Sequence, residues 1–100
     1  MKTLTIVCKE DIQDEVWAVL TESGVTRYTV IGNVTHRGIY DTVPPTPFTE
    51  EDYVMLDVIL MDDQADKATA ALRAFHDQMV GIHGHKIPLQ VAVQACEVIL

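Results

Sequence analysis

Apolar and polar residues alternate from Thr3 to Cys8. Leu4, Ile6 and Cys8 fall on one side and Thr3, Thr5 and Val7 on the other, the period of a β-strand. Lys9-Glu10-Asp11 breaks the alternation. Ile12, Val16, Val19 and Leu20 then recur at i, i+4, i+7 and i+8, which predicts one apolar stripe on a helix. Asp11 is its expected N-cap, Asp14 and Glu15 suit the positive end of the helix dipole, and Gly24 is the expected residue past its C-terminus. Thr26–Thr35 is rich in β-branched and aromatic residues and predicts a second strand, in which Gly32 marks a bulge or a close backbone approach. Residues 36–52 read as a long loop, because Pro44, Pro45 and Pro47 do not fit a central strand or a helix interior. Tyr53–Met61 predicts a third strand, apolar on both faces except at Asp57. A second helix starts at Asp62-Asp63, buries Ala65, Ala68, Leu72, Phe75 and Met79, and is expected to end at Gly81 and Gly84. In a fourth strand, Lys86–Ala95, Ile87, Leu89, Val91, Val93 and Ala95 alternate with more polar positions, and Pro88 fits the start of an edge strand.

The order β-α-β-β-α-β predicts an α+β, ferredoxin-like fold: a four-stranded antiparallel sheet with both helices on one face, as a single domain over residues 1–100. That arrangement leaves the other sheet face open, where polar residues are expected. Yet Met55, Ile59 and Met61 stand on the opposite side of the third strand from Val54, Leu56, Val58 and Leu60. The open face is therefore expected to pack on another copy of the chain, in a closed cyclic oligomer.

Charge narrows the possible partners. Seven Lys and Arg against fifteen Asp and Glu give a formal charge of −8. This excludes the clustered basic surface that nucleic acid or an anionic membrane requires. No apolar run approaches the ~18 residues of a membrane span, and no signal-peptide pattern precedes the first strand. Two cysteines suit a reduced, cytoplasmic setting. In the predicted sheet Cys8 and Cys96 fall at opposite ends, too far apart to bridge. No Ser-His-Asp, Cys-His or metal-hydrolase pattern is present, so no catalytic residue is expected and the protein is not read as an enzyme.

Three segments resemble the PII superfamily of signal transduction proteins. Ile12–Val16 with Gly24–Val30 is similar to the family's first helix and second strand. Asp57–Asp66, with its Asp62-Asp63-Gln64-Ala65-Asp66 turn, is similar to its third strand and second-helix start. Gly81-Ile82-His83-Gly84-His85-Lys86-Ile87 is similar to its glycine-rich loop. The resemblance implies a homotrimer of ferredoxin-like subunits. It also implies a small effector in the clefts between subunits, most often an adenine nucleotide (ADP, ATP or AMP), with bicarbonate or a divalent metal in divergent relatives. Residues 36–52 then correspond to a shortened T-loop that engages a target protein such as a transporter or an enzyme. By position in the family, Lys86 is the phosphate-contacting lysine, Gly81 and Gly84 belong to the phosphate loop, and Thr29 lies near the base. Arg37 and Gly38 fall at the T-loop base, with Thr35 and Arg37 where glycines stand in PII proteins. His83 and His85 replace further glycines.

Each constellation also has a plainer reading. Lys86 beside glycine-freed backbone amides makes an anion site, which Arg37 would strengthen; otherwise it is a solvated lysine whose stem covers the sheet edge. His83 and His85, at i and i+2, suit zinc or copper with His36, Asp41 or Cys8 completing the set; otherwise they are surface imidazoles or contact the effector. Asp57 is either a perturbed carboxylate or an acid paired across a subunit interface. Ile39, Tyr40, Val43 and Phe48 are too apolar for a purely solvated loop: they either meet a target, with Tyr40 and Phe48 the expected partner contacts, or fold back over the trimer.

Overall fold

The computed structural model describes residues 1–40 and 46–100; for residues 35–40 and 46–51 the description extends to backbone only. Its elements are β1 (Lys2–Lys9), a 3₁₀ turn (Glu10–Ile12), α1 (Gln13–Glu22), β2 (Thr29–Tyr40), β3 (Thr46–Leu60), α2 (Asp62–His83) and β4 (Leu89–Ala95). The sheet order is β2-β3-β1-β4, antiparallel throughout, as the ferredoxin-like reading requires.

The alternation in β1 decides what is buried. Leu4, Ile6 and Cys8 are fully buried on the helix side, with Val54, Leu56, Val58 and Leu60 of β3 beside them. Val16 and Leu20 of α1 and Ala65, Ala68 and Leu72 of α2 close the core from above. The two buried alanines let the α2 backbone come close to the sheet, and Phe75 packs at the core margin as the stripe predicts. On the other face Ile31 and Ile59 are about half exposed, and Met61, just past β3, is exposed as well. The two-sided apolar character of the third strand is therefore real, and one of its sides is open in the single chain.

Several local expectations are corrected. Asp11 does not cap α1. The chain first makes the Glu10–Ile12 turn, and Ile12 occupies the N-cap position without a side-chain capping bond. Gly81 does not end α2; it lies inside it, and the helix runs to His83, where Gly84 takes the left-handed conformation (φ 73) and returns its amide to the Val80 carbonyl at 2.8 Å. The fourth strand begins at Leu89 rather than Lys86, and its Val93 and Ala95 are exposed. The second strand begins three residues later than expected, at Thr29.

The largest correction concerns residues 36–52. The backbone of 36–40 and 46–52 is strand, continuing β2 and β3 as a two-stranded ribbon in which His36 pairs with Glu51, Arg37 with Glu50, Gly38 with Thr49 and Tyr40 with Thr46. Pro47 is compatible with this because β1 stops at Lys9, opposite Tyr53. Beyond that point β3 has one neighbour, and a missing N–H on the free side breaks no ladder bond. Residues 41–45, with Pro44 and Pro45, lie outside the described residues. The irregularity expected at Gly32 is present. Ile31 pairs with Met55 and Val34 with Tyr53, so β2 holds one extra residue there, and Asn33 (φ 57) carries the left-handed turn.

The two glycines around the end of α2 should respond oppositely to alanine. An added Cβ at Gly81 meets nothing within 4 Å, so Gly81→Ala should stabilise the fold by about 0.5–1 kcal/mol. Gly84→Ala, at positive φ, should cost about 1–2 kcal/mol. Urea denaturation read by circular dichroism measures both, and equal signs would contradict this helix end.

Candidate functional site

The chemistry-bearing turn follows the C-terminus of α2. Its position is fixed from both ends: Gly84 closes the helix, and the Lys9 amide donates to the Pro88 carbonyl at 3.1 Å, tying the turn to the end of β1. Between these points the His83 and His85 rings lie 5.7 Å apart, centre to centre. The Nδ1 of His85 is 2.8 Å from the Lys86 carbonyl oxygen. A carbonyl only accepts, so Nδ1 is the donor. Both imidazoles line an open depression of about 350 Å³, whose other walls include Asp11 from the 3₁₀ turn, Glu15 from the start of α1 and Phe75 and Met79 from α2.

The Lys86 side chain is exposed, and its amino group makes no hydrogen bond or ion pair with the described residues. The electrostatics of the turn are divided. The last carbonyls of α2 present the negative end of the helix, and Asp11 and Glu15 stand nearby. An anion bound here would depend on Lys86 and on the freed amides, without help from the dipole.

The remaining candidates lie elsewhere. Thr29 is the exposed first residue of β2, registered to Asp57, which in turn is registered to Thr5 of β1 and through it to Ala92 of β4. Arg37, Gly38 and His36 lie on the β2 arm of the ribbon, Tyr40 at its described end, and Phe48 on the β3 arm. The side chains of His36, Arg37, Tyr40 and Phe48 lie outside the described residues. The ribbon leaves the sheet at the end where the α2–β4 turn enters it. The two are nevertheless on opposite edges: Pro88, Lys9, Tyr53 and Val34 follow one another across the strands. At ~4.8 Å per strand, the β4 edge and the β2 edge stand roughly 14 Å apart. One chain therefore gathers His83, His85, Gly84 and Lys86 at one edge and Thr29, Arg37 and Gly38 at the other, and does not bring the two sets together.

Among the described residues no three His, Cys, Asp or Glu side chains converge as a metal site. Asp57 has a partner within its own chain: Thr3 Oγ1 donates to its Oδ1 at 3.0 Å, diagonally across the open face. This contact was readable from a correct strand register, which a single sequence does not supply. Two other contacts escaped the sequence reading. Trp17 and Tyr28 stack at 4.1 Å between ring centres, and Gln64 Nε2 donates to the Gly24 carbonyl at 2.8 Å. The second fastens the Asp62-Asp63-Gln64 turn to the left-handed corner after α1, where Gly24 has φ 89.

With this geometry in hand, the chain can be compared with known proteins. The model of the family described as nitrogen regulatory protein P-II matches residues 1–99. The chain belongs to the P-II family. No curated protein matches it. Among solved structures, CPII from Thiomonas intermedia K12, a nitrogen regulatory PII-like protein bound to ADP, AMP and bicarbonate, aligns over 99% of this chain and 94% of its own at 15% identity and a TM-score of 0.64. The same protein bound to ADP, AMP and acetate aligns over 93% and 84% at 18% identity and a TM-score of 0.63. GlnK from B. subtilis in its ATP complex aligns over 93% of this chain and 78% of its own, at 14% identity and a TM-score of 0.67. At these identities the likeness is one of fold. Among the described residues of this P-II family member no helix is long and apolar enough to cross a membrane.

The cysteines give a direct check on the sheet. Cys8 pairs with Leu89 at one end, and the Cys96 amide bonds to the Met1 carbonyl at the other, so both thiols are free. Burial, and secondarily the negative charge of Asp11, push the Cys8 thiol up from 9.0 to about 11. At pH 8 an alkylating reagent should modify half-buried Cys96 at least tenfold faster than Cys8, with Cys8 reacting only in denaturant; equal rates would contradict the register. In the unfolded chain Cys8 ionises near 9.0, whereas the folded chain holds its proton to about 11. Its contribution is therefore complete below pH 9 and lost as pH rises to 11, a difference of roughly 2–3 kcal/mol. Cys8→Ala should remove that part of the alkaline decline in stability.

Proposed function

We propose that this protein is a homotrimeric cytoplasmic regulator that binds an adenine nucleotide between subunits and signals through residues 36–52. Lys86, with the backbone amides of the turn that follows Gly84, holds phosphate from one copy. Thr29, Arg37 and Gly38 reach the same ligand from the next. Occupancy then sets the conformation of the ribbon, and Tyr40 and Phe48 contact a target protein.

The observation that carries this reading is the separation of the two residue sets. They lie at opposite edges of one sheet, roughly 14 Å apart by strand spacing, so a single ligand meets both only where two copies adjoin. The half-exposed Ile31 and Ile59 on the open face supply the apolar surface for that contact. The ligands named with the structures of similar fold, ADP, AMP and bicarbonate for CPII and ATP for GlnK, indicate the effectors to try first. A phosphate-bearing ligand also suits Lys86, a cation without an acidic partner among the described residues in a chain of net charge −8.

Light scattering should give about 33 kDa, three chains of 11.1 kDa. Calorimetry with ADP, AMP and ATP, each with and without bicarbonate, should detect binding, and Lys86→Ala should weaken it at least tenfold. No heat at millimolar ligand would overturn the effector assignment; a monomer would overturn the intersubunit site.

A further inference from the structure

Strand β4 is an edge strand, hydrogen-bonded to β1 alone. Over Leu89–Ala95 it carries neither charge nor proline, the devices that keep most edges from pairing with other chains. The opposite edge is interrupted by the bulge at Gly32–Asn33. An uncharged edge of this kind calls for a cover. Along its helix side, between β4 and α2, runs an open groove of about 250 Å³ floored by Leu72, Leu89, Val91 and Val93 and rimmed by Arg73 and His76. Val93 is 44% exposed. The Arg73 guanidinium makes no hydrogen bond or ion pair with the described residues, whereas His76 is engaged by its neighbour Asp77 at 3.1 Å.

The chain contains a segment of complementary chemistry. Glu97-Val98-Ile99-Leu100 is one acid followed by three apolar residues, all exposed, with Ile99 at 81%. Its own groove is out of easy reach. The Cys96 amide donates to the Met1 carbonyl at 3.2 Å, which extends the β1–β4 ladder and carries the backbone onward, away from the groove. Residues 96–100 contain no glycine or proline to reverse the direction. Four extended residues span about 13 Å, more than two strand spacings, which suffices to reach a second molecule in contact with the first.

We propose that residues 97–100 of one copy add to the β4 edge of another as a short strand, with Glu97 against Arg73 and Ile99, on the same side of the added strand, over Val91 and Val93. The backbone bonds of strand addition supply the affinity, and the Glu97–Arg73 pair sets the register. The contact is heterologous, since each copy donates one tail and accepts one, and such contacts terminate only by closing into a ring. The closure at three rests on the trimer proposed above.

The test is the concentration at which the assembly dissociates, followed by light scattering through a dilution series. Deleting residues 97–100 should raise that concentration at least tenfold. Arg73→Glu and Glu97→Arg should each do the same, and the charge-swapped double variant should return to within threefold of the unaltered chain. Circular dichroism of each variant confirms that the surface changes leave the fold intact. An assembly of about 33 kDa that is indifferent to the deletion removes this proposal alone and leaves the edge to another occupant; an unaltered chain of 11.1 kDa at every concentration removes the trimer as well. A double variant no better than the worse single variant also overturns the pairing.

Discussion

Strand β1 is paired on both sides along its length, Lys2–Lys9 with Leu60–Tyr53 of β3 and Lys2–Cys8 with Ala95–Leu89 of β4. It is eight residues long, and β3 is fifteen. That difference governs what lies around it. Where β1 runs, β3 is a central strand with the core on one side. Where β1 ends, β3 continues with β2 alone and leaves the core as a two-stranded ribbon, an arrangement with little stability of its own in water. The stop at Lys9 also places the entry of β4, because the Lys9 amide holds the Pro88 carbonyl. Ribbon and phosphate-loop candidate thus share one end of the sheet while standing at its two edges.

The elements that sequence made legible are those whose burial follows a period. Leu4, Ile6 and Cys8 and the Ala65, Ala68, Leu72 stripe are buried as their spacing predicts, because each element packs one face against the same core. The helix ends were less legible. Asp11 and Gly81 have the right chemistry for a cap and a stop, yet three residues of 3₁₀ turn fit before α1 and α2 tolerates an internal glycine where no neighbour crowds it. The ribbon was hidden for a different reason. Proline counts against a strand only where both edges are paired, and nothing in the string of residues reveals that β3 loses a neighbour at Tyr53.

The candidate site was legible as a set of residue types and illegible as an arrangement. His83, His85 and Lys86 are adjacent in sequence and remain so in space. Thr29 and Arg37 are joined to them by no local signal, and the fold puts a whole sheet width between. The pairing of Thr3 with Asp57 teaches the same lesson at short range: two polar residues 54 positions apart become neighbours through register. An isolated acid on a strand is then a satisfied hydrogen-bond acceptor on the face toward which apolar Ile59 and Ile31 also point.

The bulge between Ile31 and Val34 acts as a change of phase. Before it, odd-numbered residues of β2 register with odd-numbered residues of β3, as Ile31 does with Met55. After it, as far as Gly38, even registers with odd, as Val34 does with Tyr53 and His36 with Glu51, until a second irregularity before Tyr40. Whatever side of the ribbon a β2 residue presents is therefore fixed by one extra residue at its root, and chain length there has a parity. Gaining or losing a single residue at the bulge would exchange the two sides of the β2 arm while leaving its composition unchanged, whereas gaining or losing two would preserve them. Relatives of this chain can thus keep the same ribbon sequence and present it turned over.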